Sequence, residues 1–277
     1  MVSEATSVRA DVAAPVQAVQ RTMRVLECLV EAGSAMSVLE LASAVAVDKS
    51  VVSRLLASLA SQGYVIRDSA SDRYELSLKL LSLASRYADR LGFPWVTQPV
   101  LQQLSDDTRE LTQLAAVERS RLRLVAHSTS SQQLAIMPPP LGSSVALHAT
   151  ASGKAYLAAL PDERALELAL GFGLSSLTSR TITTAPRLLK ELAAIRTRGY
   201  AFCQGEFYDG INAVACAIGQ ERFGFCVGTI ALSAPESRLT GHRVGERVQQ
   251  LRDAVAAIEA VWPLEIAGLA QLNPTKR

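Results

Sequence analysis

The chain of 277 residues has few of the side chains that staple or arm a small protein: 5% aromatics, four cysteines and three histidines. Cys28, Cys203, Cys216 and Cys226 form no C-x-x-C pair, and His127, His148 and His242 have no H-x-x-x-H spacing. These absences argue against a zinc site or a disulfide framework and leave the cysteines as small buried apolar groups, so no metal or other cofactor is expected. Long hydrophobic runs are lacking too. The most apolar stretch, residues 141–160, is interrupted by His148 and Lys154 and falls short of the roughly 20 residues that span a bilayer. The first 14 residues have no continuous apolar core and carry Glu4, Arg9 and Asp11, unlike a signal peptide, so a cytoplasmic chain without a membrane partner is expected. Charge of one sign is scarce as well: 28 Lys+Arg against 26 Asp+Glu leave a net +2, so any nucleic-acid binding must be local.

What is present is a globular composition, 49% apolar and 19% charged, in a chain long enough for about two domains of about 150 residues. Residues 1–15 are small, polar and aperiodic and read as a flexible arm. After them Val19, Met23, Leu26 and Val30 recur at helical spacing until Gly33. Ser37-Val38-Leu39-Glu40 has the form of a capping box and predicts a second helix over 38–44. Asp48 is a fitting N-cap for a third, on which Val52, Leu55, Leu56 and Leu59 share an inner face and Lys49, Ser50, Ser53, Arg54 and Ala57 the opposite one. Gly63 stops that helix, and residues 64–67 and 73–76 bracket a polar turn in the pattern of a β-hairpin. Three helices and a hairpin over 16–77 make a winged helix-turn-helix.

A linker helix is expected over 78–93, within a stripe formed by Leu76, Leu80, Leu83, Tyr87 and Leu91. Such a stripe needs a partner: a second copy, giving a dimer through the N-terminal half, or the chain's own second domain. That domain is expected over 94–265, with a tail over 266–277. Its strand-like runs lie at 111–117, 122–126, 200–202, 213–218 and 225–233, and its helices at 100–109, 150–160, 162–170, 186–199 and 239–261. The order lacks strict βαβ repetition, so the fold class is α+β with a mostly antiparallel sheet flanked by helices.

The exposed face of the third helix has a plain reading, a solvated surface, and a sharper one, a face that enters a DNA groove; the preceding helix and the hairpin favour the second. Lys49, Ser50, Ser53 and Arg54 are its expected contacts, completed by Ser37 at the start of the second helix and by Arg67 and Arg73 on the wing. Residues 1–90 hold ten cations and ten acids, so phosphate affinity must come from placement and dimerisation. Catalytic signatures are weak. Ser152-Gly153-Lys154 has the form of a P-loop end, but His148 stands where the first glycine is needed and Ala155 where Ser or Thr would hold magnesium. Gly171-Phe172-Gly173 lacks a third glycine, no G-x-S-x-G elbow occurs, and His148 has no evident partner. No catalytic residue is assigned; an enzyme using the second domain, with the first serving only assembly, stands as the rival to a DNA-binding regulator.

The first domain contains Val16-Gln17-Ala18-Val19-Gln20-Arg21, Leu39-Glu40-Leu41-Ala42, Lys49-Ser50-Val51-Val52-Ser53-Arg54-Leu55-Leu56 and Gln62-Gly63-Tyr64-Val65. The second contains the run from Leu147 through His148-Ala149-Thr150 to Ala155, Arg198-Gly199-Tyr200-Ala201 and Ile230-Ala231-Leu232-Ser233-Ala234-Pro235. In these stretches, from Val16 to about Val261, the chain resembles the IclR family of bacterial transcriptional regulators. The resemblance implies a GAF-like effector domain, ligand-controlled binding to double-stranded promoter DNA, and a homodimer often paired into a tetramer. It also implies an effector pocket at Ala151, Ser152, Cys203, Ala213, Ala231 and Ser233. Cys203 stands where an acidic residue is usual in the family, Ala213 where cysteine is usual and Ala231 where serine is usual, so the pocket is expected to be less polar than one for a very small oxoacid. The expected effector is an aromatic or medium-length carboxylate, held by backbone N–H groups around Ala151-Ser152-Gly153 at a helix N-terminus and by Ser233.

Overall fold

The computed structural model describes residues 16–130 and 137–271, so the arm expected over 1–15 and the end of the tail lie outside the described residues. The chain divides into two compact units at Tyr87/Ala88. In the first, α1 (Gln17–Ala32), α2 (Val38–Val45) and α3 (Lys49–Ser61) precede a hairpin of β1 (Val65–Arg67) and β2 (Tyr74–Leu76), with Ile66 opposite Glu75. The capping box forms: the Glu40 N–H donates to Ser37 Oγ over 3.3 Å, and the Ser37 N–H donates to the Glu40 carboxylate over 2.7 Å. The core joins Val25, Leu29, Leu41, Val45, Val52, Leu56, Leu59, Val65 and Tyr74. Met36, before α2, exchanges two backbone hydrogen bonds of 2.8 Å with Tyr74, so the wing is tied to the start of α2 as well as closed on itself.

On α1 the buried side chains are Val25 and Leu29, whereas Val19, Met23 and Val30 of the apolar stripe are exposed and Leu26 is half-buried. The helix carries two adjacent apolar faces, and spacing alone does not say which one meets the core. The linker helix, α4 (Lys79–Leu91), buries no residue, and Leu83 and Tyr87 of its stripe are exposed.

The second unit opens with a 3-10 turn (Trp95–Thr97) and α5 (Gln98–Thr108). It continues through β3 (Leu111–Glu118), β4 (Arg121–Ser128), α6 (Ala151–Ala158), α7 (Asp162–Phe172), α8 (Ala185–Arg198), β5 (Ala201–Gln204), β6 (Ile211–Ile218), α9 (Gln220–Phe223), β7 (Gly228–Pro235), α10 (Val244–Val261) and α11 (Leu264–Gln271). The five strands lie in the order β4-β3-β7-β6-β5, every pairing antiparallel. The expected tail is corrected at its start: α11 reaches Gln271, and its Ile266 and Ala267 are buried in the core. The break at Trp262-Pro263, which ends α10, is a corner and not the end of the packed structure.

Strand alternation gives the sheet two unlike faces. Towards α5, α10 and α11 it presents Leu114, Val214, Ile218, Ile230 and Leu232, which pack with Leu251, Ile258 and Trp262. Towards α6, α7 and α8 it presents Ala115, Ala215 and Ala231, with Ala213 at the margin. Small side chains on that face leave room between sheet and helix. Gly153 on α6 lies so close to the preceding segment that a Cβ there would sit 2.4 Å from Leu147 Cα, which accounts for glycine at this point of the helix. No helix among the described residues is long and apolar enough to cross a membrane.

Candidate nucleic-acid interface and ligand cavity

The polar face of α3 is exposed. Lys49, Ser50, Ser53 and Arg54 are all exposed beside Ala57, and the Lys49 and Arg54 side chains have no hydrogen bond or ion pair among the described residues. The other three expected DNA contacts are occupied within the protein. Ser37 is the N-cap of α2. Arg67 donates through Nε to Asp72 across the hairpin turn over 2.5 Å. Arg73 reaches back to α2, with Nη2 on the Glu40 carboxylate at 2.7 Å and Nε on the Ala35 carbonyl at 3.0 Å. Those contacts make Arg73 a strut between the wing and α2. Glu40 is the shared acceptor: bonds from the Ser37 N–H and from Arg73 hold its carboxyl down at about 2.

In the second unit a cavity of about 130 Å³ opens between the alanine face of the sheet and the start of α6. Ala151, Ser152, Cys203, Ala213, Ala231 and Ser233 all line it. Register explains how positions far apart in sequence meet: Cys203 on β5 lies opposite Ala213 on β6, which lies opposite Ser233 on β7, in one row across three strands. Gly153 is the exception. It does not line the cavity, and its N–H already donates to Thr150 Oγ1 over 3.0 Å, so the expected role of its N–H as a ligand contact is corrected. The N–H groups of Ala151 and Ser152, one and two residues past the Thr150 cap, have no acceptor among the described residues.

Several wall residues were not anticipated from sequence: Gln113, Glu206, Phe207, Tyr208 and Ile211. Ser233 Oγ donates to Gln113 Oε1 over 3.3 Å, which directs the Gln113 amide. Glu206 receives Lys154 Nζ on both carboxylate oxygens, at 2.6 and 2.8 Å, and the Lys154 side chain is only 1% exposed. Burial opposes the charge on Lys154, yet Cys203 and Glu206 hold its pKa above the usual lysine value. Burial pushes the Cys203 thiol up to about 12, so near neutral pH it is uncharged and the partner that matters is Glu206. The loop carrying Glu206 is pinned by Thr178 Oγ1 on the Gly205 carbonyl and Thr181 Oγ1 on the Glu206 carbonyl, each 2.7 Å. The signal for this pair was present as Lys154 within a helix of small residues, but its partner lies 52 positions away. His148 is buried, with Nε2 2.9 Å from the Ser175 carbonyl, a structural contact.

Family comparison agrees with both halves. Residues 18–69 match the IclR helix-turn-helix domain, and residues 85–260 match the family described as bacterial transcriptional regulator IclR C-terminal. The chain belongs to the IclR family. As a member it is a DNA-binding transcriptional regulator and not an enzyme, which removes the rival reading. Among curated IclR-family relatives, the acetate operon repressor of Salmonella typhimurium is 28% identical over 86% of this chain and 86% of its own. The repressor AllR of Salmonella paratyphi A is 29% identical over 90% of this chain and 91% of its own. The crystal structure of Thermotoga maritima IclR matches with a TM-score of 0.73 at 26% identity, over 87% of this chain and 97% of its own. An IclR homologue from Microbacterium hydrocarbonoxydans, solved in complex with 4-hydroxybenzoate, has a TM-score of 0.75 at 22% identity, over 88% of this chain and 98% of its own, a likeness of fold.

The low pKa of Glu40 sets a pH dependence. The unfolded chain takes up this proton near 4.5 and the folded chain only near 2, so the contribution of Glu40 to stability is full above that window and is lost as pH falls through it. Circular dichroism melts of wild type and Glu40→Gln should show a stability difference that shrinks between these values. A difference constant with pH would overturn the assignment.

Proposed function

We propose that this IclR-family regulator reads its operator through Lys49, Ser50, Ser53 and Arg54 and answers to a small ring-bearing organic acid held in the effector domain. The observation that carries the ligand half is the cavity itself. An apolar cavity of about 150 Å³ holds one benzene ring, and this one is about 130 Å³ with a mostly apolar wall. A three-carbon oxoacid offers almost no apolar area to a site where burial is worth about 25 cal/mol per Å². The free N–H groups of Ala151 and Ser152, at the positive end of α6, suit the acid's carboxylate. The homologue solved with 4-hydroxybenzoate supports an aromatic acid of this size.

On the DNA side, α3 is the recognition helix, and Ser37, Arg67 and Arg73 orient the wing beside it. The apolar side chains exposed on α1 (Val19, Met23, Val30) and α4 (Leu81, Leu83, Tyr87) form the contact with a second copy. A two-fold dimer places two recognition helices on half-sites about one helical turn apart and asks for a pseudo-palindromic operator.

Three measurements test this. Arg54→Ala should cost about 1–3 kcal/mol at the operator in an anisotropy titration and much less on random DNA; equal losses would make Arg54 a phosphate contact. Sedimentation of the full chain at micromolar concentration should give a dimer, and monomer alone would overturn the two-fold arrangement. Ala213→Leu should fill the cavity, abolishing calorimetric binding of aromatic acids while operator binding persists. Tight binding of pyruvate or glyoxylate with no response to aromatic acids would overturn the ligand reading.

A further inference from the structure

The cavity proposed to receive an acid contains a carboxylate. Glu206 is a wall residue, and among the described residues no lysine, arginine or histidine lines the cavity with it. Lys154 lies behind the wall, 1% exposed, and donates to both oxygens of Glu206, so the opposite charges of the ion pair offset one another. An ionised carboxylate accepts hydrogen bonds and donates none, and each oxygen has lone-pair capacity beyond the one bond from Lys154. A ligand that fills the cavity strips water from the lone pairs that Lys154 leaves open, and desolvating a charged acceptor costs free energy that a donor on the ligand restores. The loop cannot easily withdraw the carboxylate, because the Glu206 carbonyl is held by Thr181 and the Gly205 carbonyl by Thr178. A cationic donor is disfavoured, since it would place a second positive charge beside Lys154.

We infer that the effector carries, besides its acidic group, a neutral hydrogen-bond donor, a ring hydroxyl or amino group, that meets Glu206, and that Glu206 is the specificity-determining residue of the cavity. The inference rests on the effector reading above and narrows it. The two ends of the ligand are told apart by opposite chemistry: N–H donors at the start of α6 for the acid, an acceptor at Glu206 for the hydroxyl or amine. A site built around such a contact rejects analogues that lack the donor.

The test is calorimetry on the full-length protein with four probes of similar size: 4-hydroxybenzoate, 4-aminobenzoate, 4-fluorobenzoate and benzoate. The hydroxy and amino acids should bind about tenfold or more tightly than the fluoro acid and benzoate. The double variant Lys154→Met/Glu206→Leu removes both charges and the acceptor together and should bring the four affinities within about threefold of one another. Equal affinities in the wild-type protein would overturn the inference while leaving the effector reading intact, and this comparison stands whether or not the double variant folds. Discrimination that survives in a folded double variant would overturn the role of Glu206. Binding of none of the four would overturn the effector reading and this inference together.

Discussion

A lysine ammonium taken out of water carries a penalty of several kcal/mol unless a carboxylate meets it, and much of the second unit is arranged around one such meeting. Lys154 leaves α6 on the side of the sheet furnished with alanines, and Glu206 comes to it from the loop after β5. Removing one partner of a pair this buried costs about 3–5 kcal/mol. The pair therefore fixes helix, strand and loop relative to one another, with Thr178 and Thr181 securing the loop backbone. The cavity lies against this fixed frame, so its wall is a consequence of the ion pair as much as of the residues that touch its interior.

The unequal faces of the sheet supply the space. Leucine, isoleucine and valine pack one side against α10, and the alanines at 115, 213 and 231 leave a gap on the other. Polar side chains such as Gln113, Glu206 and Ser233 share that wall, a division of labour common in small-molecule sites: apolar wall for affinity, a few fixed polar groups for orientation.

Local rules were legible in the sequence. Capping chemistry placed the start of α2, glycines marked the ends of α1 and α8, and strand-like runs located the strands to within a few residues. Which face of a helix is inside was less legible: α1 offers two apolar faces, and only tertiary packing selects Val25 and Leu29. Family resemblance pointed to Ala151, Ser152, Cys203, Ala213, Ala231 and Ser233, which line one cavity: strand register gathers the last four and the start of α6 supplies the first two. Contacts between side chains distant in sequence were hidden. Nothing local to Arg73 shows that it will brace Glu40 33 positions earlier, and nothing near Lys154 names Glu206. Gly153 was misread for a related reason: its motif suggested an anion contact, whereas the backbone of Leu147 needs the space a side chain would take.

The order of the sheet also bears on how the chain is made. β3 is complete by Glu118, yet its neighbour on one side, β7, begins only at Gly228, so the middle of the sheet waits for more than a hundred further residues to be synthesised. Contacts in the winged helix-turn-helix are short-range by comparison, and low contact order favours fast folding. During synthesis at about 5–20 residues per second, the N-terminal unit has time to fold while β3 and β4 stand as a lone hairpin with one long edge unpaired. That edge is the point at which the nascent protein is most open to mispairing, and it closes only when β7 arrives.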